Sequence, residues 1–246
     1  MNGSPRIPAD YYTAQAGKLL RQLDRAARHY RPVLGAHLAG ESPDEVIRES
    51  RREFERLLPA IPYIGGKRNS LTRILIGCTM SLALYRVLKE RGQPVEEIGR
   101  IVVEIEESRF RAYSRFLMRL AGWYIHTPLG RRHLKRMMVE HSQEHAYPGG
   151  WVATFVEGDG RTFDFGIDYT ECALLKFFGE QGAGEFTRYL CLIDYVQQRA
   201  MGAGFFRSTT LAEGGERCDF RWKRGGNTRP AWPPPWLESP EEEVMG

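Results

Sequence analysis

Apolar residues in the first 145 positions return at helical spacing. Between Ala9 and Tyr30, the residues Tyr12, Leu19, Leu20, Leu23 and Ala27 are separated by Arg, Lys and Gln, which predicts an amphipathic helix. Ser42-Pro43-Asp44-Glu45 predicts the start of a second helix that ends near Pro59: a capping hydroxyl, a proline at the first helical position and a carboxylate three residues after the cap. After Pro59, Pro62, Gly65 and Gly66, Asn69 is placed to cap a third helix, and Gly92 suits the left-handed position beyond its end. That helix is apolar nearly all round, and Arg73 and Arg86 within it are costly in lipid, so it reads as a core helix and not a membrane span. Pro94 opens a fourth, with Glu96 and Glu97 in its first turn and Arg109, Arg111, Arg115 and Arg119 later, matching the helix dipole. Ile98, Ile101, Val102, Ile105, Ala112, Phe116 and Leu120 form its expected buried stripe, and a fifth helix is expected around Arg131 to His145.

At Tyr147-Pro148-Gly149-Gly150 the period shifts toward alternation. Trp151 to Val156 and Thr162 to Ile167 flank Glu157-Gly158-Asp159-Gly160 as a hairpin, with Phe163, Phe165 and Ile167 on one face. Helices are expected at about Thr170 to Phe178 and Glu185 to Met201. Phe205 to Ala212 and Arg217 to Lys223 then flank Glu213-Gly214-Gly215 as a second hairpin. The pattern predicts an α+β fold: a helical part of about five helices over residues 1–146, and an α+β part over 147–224 in which two helices cover a four-stranded antiparallel sheet. Residues 225–246, rich in proline and then in glutamate, have little means of burying a core and are expected to be mobile, with Trp232 and Trp236 able to dock on a neighbouring surface. A ligand pocket is expected between the two parts.

Composition narrows the function classes. The net charge of +4 comes from 35 basic and 31 acidic residues dispersed along the helices. The densest basic run, Arg131, Arg132, Lys135 and Arg136, reads as a solvated helix face without any nucleic-acid motif around it. Neither a nucleic acid nor a membrane is expected as a partner; a small-molecule substrate is, and a homo-oligomer is left open. The N-terminal Met-Asn-Gly-Ser-Pro-Arg opens no apolar stretch, so a cytoplasmic location and reduced thiols are expected for the four cysteines. Walker, dinucleotide and nucleophile-elbow motifs do not occur. His141 and His145, four apart, lack the His-Glu-x-x-His arrangement and read as a solvated helix end.

The candidate chemistry lies in the last third. Cys172 follows Asp168 and Thr170, either able to cap a helix that would place the sulfur in its first turn, where partial positive charge stabilises a thiolate. The alternative is a small core residue beside Ala173 and Leu174. Cys191 and Asp194, three apart on a helix, share a face; Asp194 sits in a largely apolar run and needs a partner, for which Arg207 is a candidate. Cys218, Phe220 and Trp222 share one strand face. The cysteine separations of 19 and 27 residues lack the close pairs usual in zinc sites, so no cofactor is expected; Cys172, Cys191 and Cys218 are the ligand set if zinc is bound.

The motifs Tyr169-Thr170-Glu171-Cys172, Cys191-Leu192-Ile193-Asp194, Phe206-Arg207-Ser208-Thr209-Thr210-Leu211-Ala212-Glu213-Gly214 and Cys218-Asp219-Phe220-Arg221 resemble the L-2-amino-thiazoline-4-carboxylic acid hydrolase family. Weaker resemblance runs through Ile61 to Gly66 and Tyr85 to Gly92, over roughly residues 45 to 223. It implies a hydrolase that opens a cyclic amidine, or a related small-molecule C–N bond, at a cysteine-containing site. On that reading Cys172 is the candidate nucleophile, Asp194 the proton-transfer group, and Cys191 and Cys218 their partners. Arg207 would hold a substrate carboxylate, and Thr210 and Asp219 would also contact substrate. The Cys218-Asp219-Phe220 hairpin is also similar to vinyl-4-reductase-type domains. That likeness implies a non-catalytic small-molecule binder, or a pathway enzyme using the same Cys/Asp site for other chemistry.

Overall fold

The computed structural model describes residues 10–140, 142 and 147–237. Its helical part runs α1 (Ala16–His37), α2 (Pro43–Leu57), α3 (Leu71–Glu90), α4 (Val95–Arg111), α5 (Arg115–Ile125) and α6 (Pro128–Met138). The expected caps of α3 are in place: the Asn69 side chain accepts from the Leu71 amide at 3.0 Å, and Gly92 has φ +80°. At α2 the serine does less than expected, because Ser42 precedes the helix without a side-chain cap bond. α3 is long and apolar enough to cross a membrane, but 67% of its most apolar stretch is buried, with α2 and α4 packed along it, as a core helix requires.

The single helix expected from Pro94 to Leu120 is two. Ser114 interrupts it, its hydroxyl accepting from the Leu117 amide as the cap of α5. Ile98, Ile101, Val102 and Ile105 are buried as expected, whereas Ala112, Phe116 and Leu120 are exposed, since the break turns the chain away from the core. α6 begins at Pro128, with the Thr127 hydroxyl accepting from Gly130 N at 3.0 Å, and ends at Met138. His141 and His145 lie outside the described residues.

The α+β part follows as β1 (Val152–Glu157), β2 (Phe165–Glu171), α7 (Ala173–Glu180), α8 (Thr187–Leu190), α9 (Ile193–Met201), β3 (Phe205–Phe206) and β4 (Cys218–Trp222). The antiparallel sheet has the order β1-β2-β4-β3. Register places Phe165 opposite Trp222 and Tyr169 opposite Cys218, so Phe165, Ile167 and Tyr169 share a face with Cys218, Phe220 and Trp222. The Phe165 and Trp222 rings stack at 5.1 Å.

Both hairpins depart from expectation for the same reason. The Asp159 carboxylate accepts from the amides of Arg161 and Thr162 at 2.8 and 2.7 Å, which holds that stretch in a turn, so β2 starts at Phe165 and leaves Phe163 outside it. The Asp219 carboxylate accepts from the amides of Ser208 and Thr209 at 2.9 and 2.8 Å, and β3 stops at Phe206 instead of running to Ala212. In each case an aspartate takes amides that a ladder would otherwise use.

The helix expected over Glu185 to Met201 is broken between α8 and α9. The Cys191 carbonyl accepts from Arg207 Nη2 at 2.6 Å, and the Tyr195 amide that would have reached it bonds to Leu192 O instead. Beyond β4 the chain continues to Leu237 with Ala231 buried and the Trp232 ring stacked 6.5 Å from Tyr189. The Arg188 guanidinium lies 4.0 Å over the Trp236 ring. The acidic stretch after Leu237 is outside the described residues.

Candidate active site

α3 and α4 face the inner surface of the sheet and the start of α7 to α9, and a cavity of about 330 Å³ lies between them. That volume suits a small molecule. α3 contributes Arg73, Ile74, Cys78 and Ser81; α4 contributes Glu106 and Arg109; β2 and β4 contribute Tyr169, Cys218 and Phe220. Cys172, Cys191, Asp194 and Arg207 complete the wall. All four candidate catalytic residues and Arg207 therefore converge on one chamber.

Thr210 and Asp219, expected at the substrate, are not on its wall. Thr210 is buried and its hydroxyl donates to Glu213 at 2.6 Å. Asp219 is engaged by Ser208 and Thr209; burial pushes its carboxyl up, but the Ser208 hydroxyl and the two amides outweigh it, and the group is held below its usual range.

The thiolate expectation for Cys172 is reversed. β2 runs through Glu171, so Asp168 and Thr170 are strand residues and Cys172 itself occupies the cap position of α7. Burial pushes its thiol up; the amides of Leu174 and Leu175 and the Trp151 indole pull the other way without overcoming it. The same cause raises Cys78 and carries Cys191 well above the ordinary thiol value, and Cys218 is pushed up to about 11 although the Leu211 amide donates to its sulfur at 3.3 Å. A buried thiolate is costly, and at neutral pH all four are thiols.

The carboxylates behave differently from ordinary ion-paired ones. Asp194 accepts from Arg207 Nη1 at 2.8 Å, as anticipated for a buried aspartate. It lies deep in the protein, yet 37% of its side chain is open, and that open part faces the cavity. Burial raises its carboxyl above the usual range against the pull of Arg207. Arg207 is 5% exposed, with its guanidinium 5.0 Å from the Tyr195 ring and 5.5 Å from Phe220. Glu106, paired with Arg109, is raised by burial in the same way.

The sequence reading did not identify Glu106, Arg109, Arg73, Cys78 or Tyr169. Glu106 carried a signal: it falls four residues after Val102, on the stripe of α4 that is otherwise apolar, with Arg109 three further on. The Tyr169 hydroxyl is buried without a hydrogen-bond partner among the described residues, beside the same chamber. Among the described residues no three His, Cys, Asp or Glu side chains are grouped to hold a metal ion, so Cys172, Cys191 and Cys218 do not form a ready zinc set.

Helices, sheet and chamber together define an α+β protein built around a small-molecule-sized cavity, open at one side, with titratable groups in its wall. The chain belongs to the L-2-amino-thiazoline-4-carboxylic acid hydrolase family, whose model matches residues 74–222. That span takes in the whole cavity wall described above except Arg73. No curated protein and no solved structure matches the chain. The family description is that of a hydrolase.

Proposed function

We propose that the protein hydrolyses a cyclic amidine, such as L-2-amino-thiazoline-4-carboxylic acid, or a related small acid with a reactive C–N bond, in this chamber, and that Asp194 is the proton-transfer group. The observation that carries this reading is the setting of Asp194: a carboxylate held by Arg207, raised by burial and open to the cavity. A base is most effective when its pKa lies near the working pH, and burial moves a carboxyl in that direction.

For the thiazoline the balance is as follows. Water gives a proton to Asp194 as its oxygen bonds to the amidine carbon, and Asp194 passes that proton to the ring nitrogen. The hydroxyl of the resulting tetrahedral carbon then becomes a carbonyl, its proton leaves with the ring sulfur, and the carbon–sulfur bond breaks to give N-carbamoyl-cysteine. Water is favoured over Cys172 as the attacking group because burial keeps the thiol protonated. Arg207 is already committed to Asp194 and the Cys191 carbonyl, so Arg73, exposed at the cavity edge and without an ion pair among the described residues, is better placed to hold a substrate carboxylate.

The test is turnover of L-2-amino-thiazoline-4-carboxylic acid by the purified protein and by Cys172→Ala, with and without chelator and with metal analysis of the same samples. The expected result is turnover that survives chelation and falls less than about tenfold in C172A, since general acid–base catalysis needs no thiolate. Loss of all turnover in C172A would restore the cysteine as nucleophile. Saturable binding without turnover in the parent protein would make the chamber a binding site.

A further inference from the structure

α5 is amphipathic in the wrong direction for a helix packed only on its own core. Phe116 is 75% exposed, and Leu117, Leu120 and Trp123 stand beside it along one side of the helix, with Tyr113 just before it and Leu129 at the start of α6 also exposed. Isolated exposed apolar residues are ordinary, but five bulky ones on two adjoining helices, with Tyr113 beside them, form a patch that calls for an occupant. Residues 112–139 contain no Asp or Glu; Arg131 and Lys135 pack over the Phe165 and Phe155 rings and Arg136 pairs with Glu140, which leaves Arg115, Arg119 and Arg132 as the free cations of the segment among the described residues.

A second, polar cleft of about 460 Å³ adjoins this ridge, lined by Arg119 of α5, Arg199 of α9, and Arg229 with residues 226–228 and 230. Its wall includes no acidic side chain, and none of the three arginines makes an ion pair among the described residues. Arg119 lies one turn before Trp123. Its guanidinium crosses Gly202, where φ is +64° and where any Cβ would collide with it. The Arg229 guanidinium is fixed 4.1 Å over the Tyr195 ring.

We propose that the α5–α6 face docks on a lipid bilayer carrying anionic headgroups, with Phe116, Leu120 and Trp123 entering the acyl boundary and the Arg119–Arg199–Arg229 cleft receiving a headgroup phosphate. Trp, Phe and Leu flanked by arginines is the composition of an interfacial helix, in which apolar burial and attraction to anionic lipid add. A second copy is a poor occupant, because a two-fold contact would set this arginine-rich face against itself with no acidic residue in the segment to neutralise it. A nucleic acid would satisfy the arginines but leave the ridge in water.

Flotation of the full chain with vesicles of phosphatidylcholine alone, or of phosphatidylcholine with phosphatidylglycerol, tests this. The parent protein should float with the anionic vesicles only, and less as salt rises. F116S/L120S/W123S should bind at least about tenfold less, and R199E several-fold less, both with unchanged thermal melting, since the altered side chains lie in the exposed ridge and at the open edge of the cleft. Failure of the parent protein to float, or undiminished binding by the ridge variant, overturns the proposal. So would a parent dimer in light scattering that the ridge variant converts to monomer without any vesicle binding, or duplex DNA binding that ignores the ridge substitutions. Inorganic phosphate should displace the parent protein from anionic vesicles more readily than it displaces R199E, and equal displacement of the two overturns the cleft as the headgroup site.

Discussion

Two sets of carboxylates in this protein have cationic partners, and they respond in opposite directions. Where α2 meets α3, Glu53 accepts from Arg86 at 2.8 Å; burial pushes its carboxyl up, but Arg86 and Arg56 outweigh it and hold it below its usual range. Between α1 and α4, Glu104 is likewise held down, His37 and Arg100 overcoming the burial. In the chamber, Asp194 accepts from Arg207 at the same 2.8 Å, and Glu106 pairs with Arg109, yet burial wins and both carboxyls rise. The partner does not set the sign; how deeply the group lies among protein atoms does. The outer pairs tie helices together, whereas burial in the chamber leaves both carboxyls raised beside their arginines.

The largest expected effect is on chemistry. Asp194→Asn keeps the shape and the Arg207 contact but removes the base, and turnover should fall by about 10²–10⁴ with little change in substrate KM. Glu53→Gln, on the outer set, should leave kcat unchanged, and a comparable fall there would dissolve the contrast.

Next in size is stability. Arg207→Met removes the counter-charge of Asp194, whose side chain is partly open to the cavity, and should cost about 2–3 kcal/mol at neutral pH by denaturant unfolding. The deficit should shrink as pH falls, because a protonated Asp194 needs no counter-charge. Arg86→Met should cost only about 1–2 kcal/mol, because Glu53 keeps its second partner, Arg56, at 3.1 Å.

The smallest effect concerns His37, whose ring nitrogens contact Glu97 and Glu104. Burial lowers its pKa, but the two glutamates more than compensate and the net direction is up. A raised histidine stabilises the fold fully below the unfolded value near ~6.5 and loses that contribution as pH rises through the folded value. The loss should be under about 1 kcal/mol and absent in His37→Gln, read from unfolding midpoints on either side of that window.

Legibility in the sequence followed the scale of each interaction. Helical and alternating periods, proline and glycine placement and the Asn69 cap are local, and the α+β arrangement and four-stranded sheet follow from them. What was missed turned on single side chains reclaiming backbone groups: Asp159 and Asp219 shorten the strands, Ser114 splits a helix, and Arg207 breaks another at Cys191. Cys172, Cys191, Asp194, Arg207 and Cys218, spread over 47 positions of sequence, line the same cavity. Glu106 and Arg109 were hidden because α4 reads as an ordinary amphipathic helix until its opposite wall is known. The direction of the thiol shifts could not be read locally either, since a helix start favours the thiolate and only the enclosing fold supplies the burial that opposes it.

The most direct test of the central claim is the pH dependence of kcat for the parent protein and Asp194→Asn on L-2-amino-thiazoline-4-carboxylic acid. If Asp194 moves the proton, activity rises with pH through a midpoint above the ordinary carboxylate value of ~4, and the residual activity of D194N lacks that limb. A limb that persists unchanged in D194N, or one that appears only in the alkaline thiol range, would contradict it.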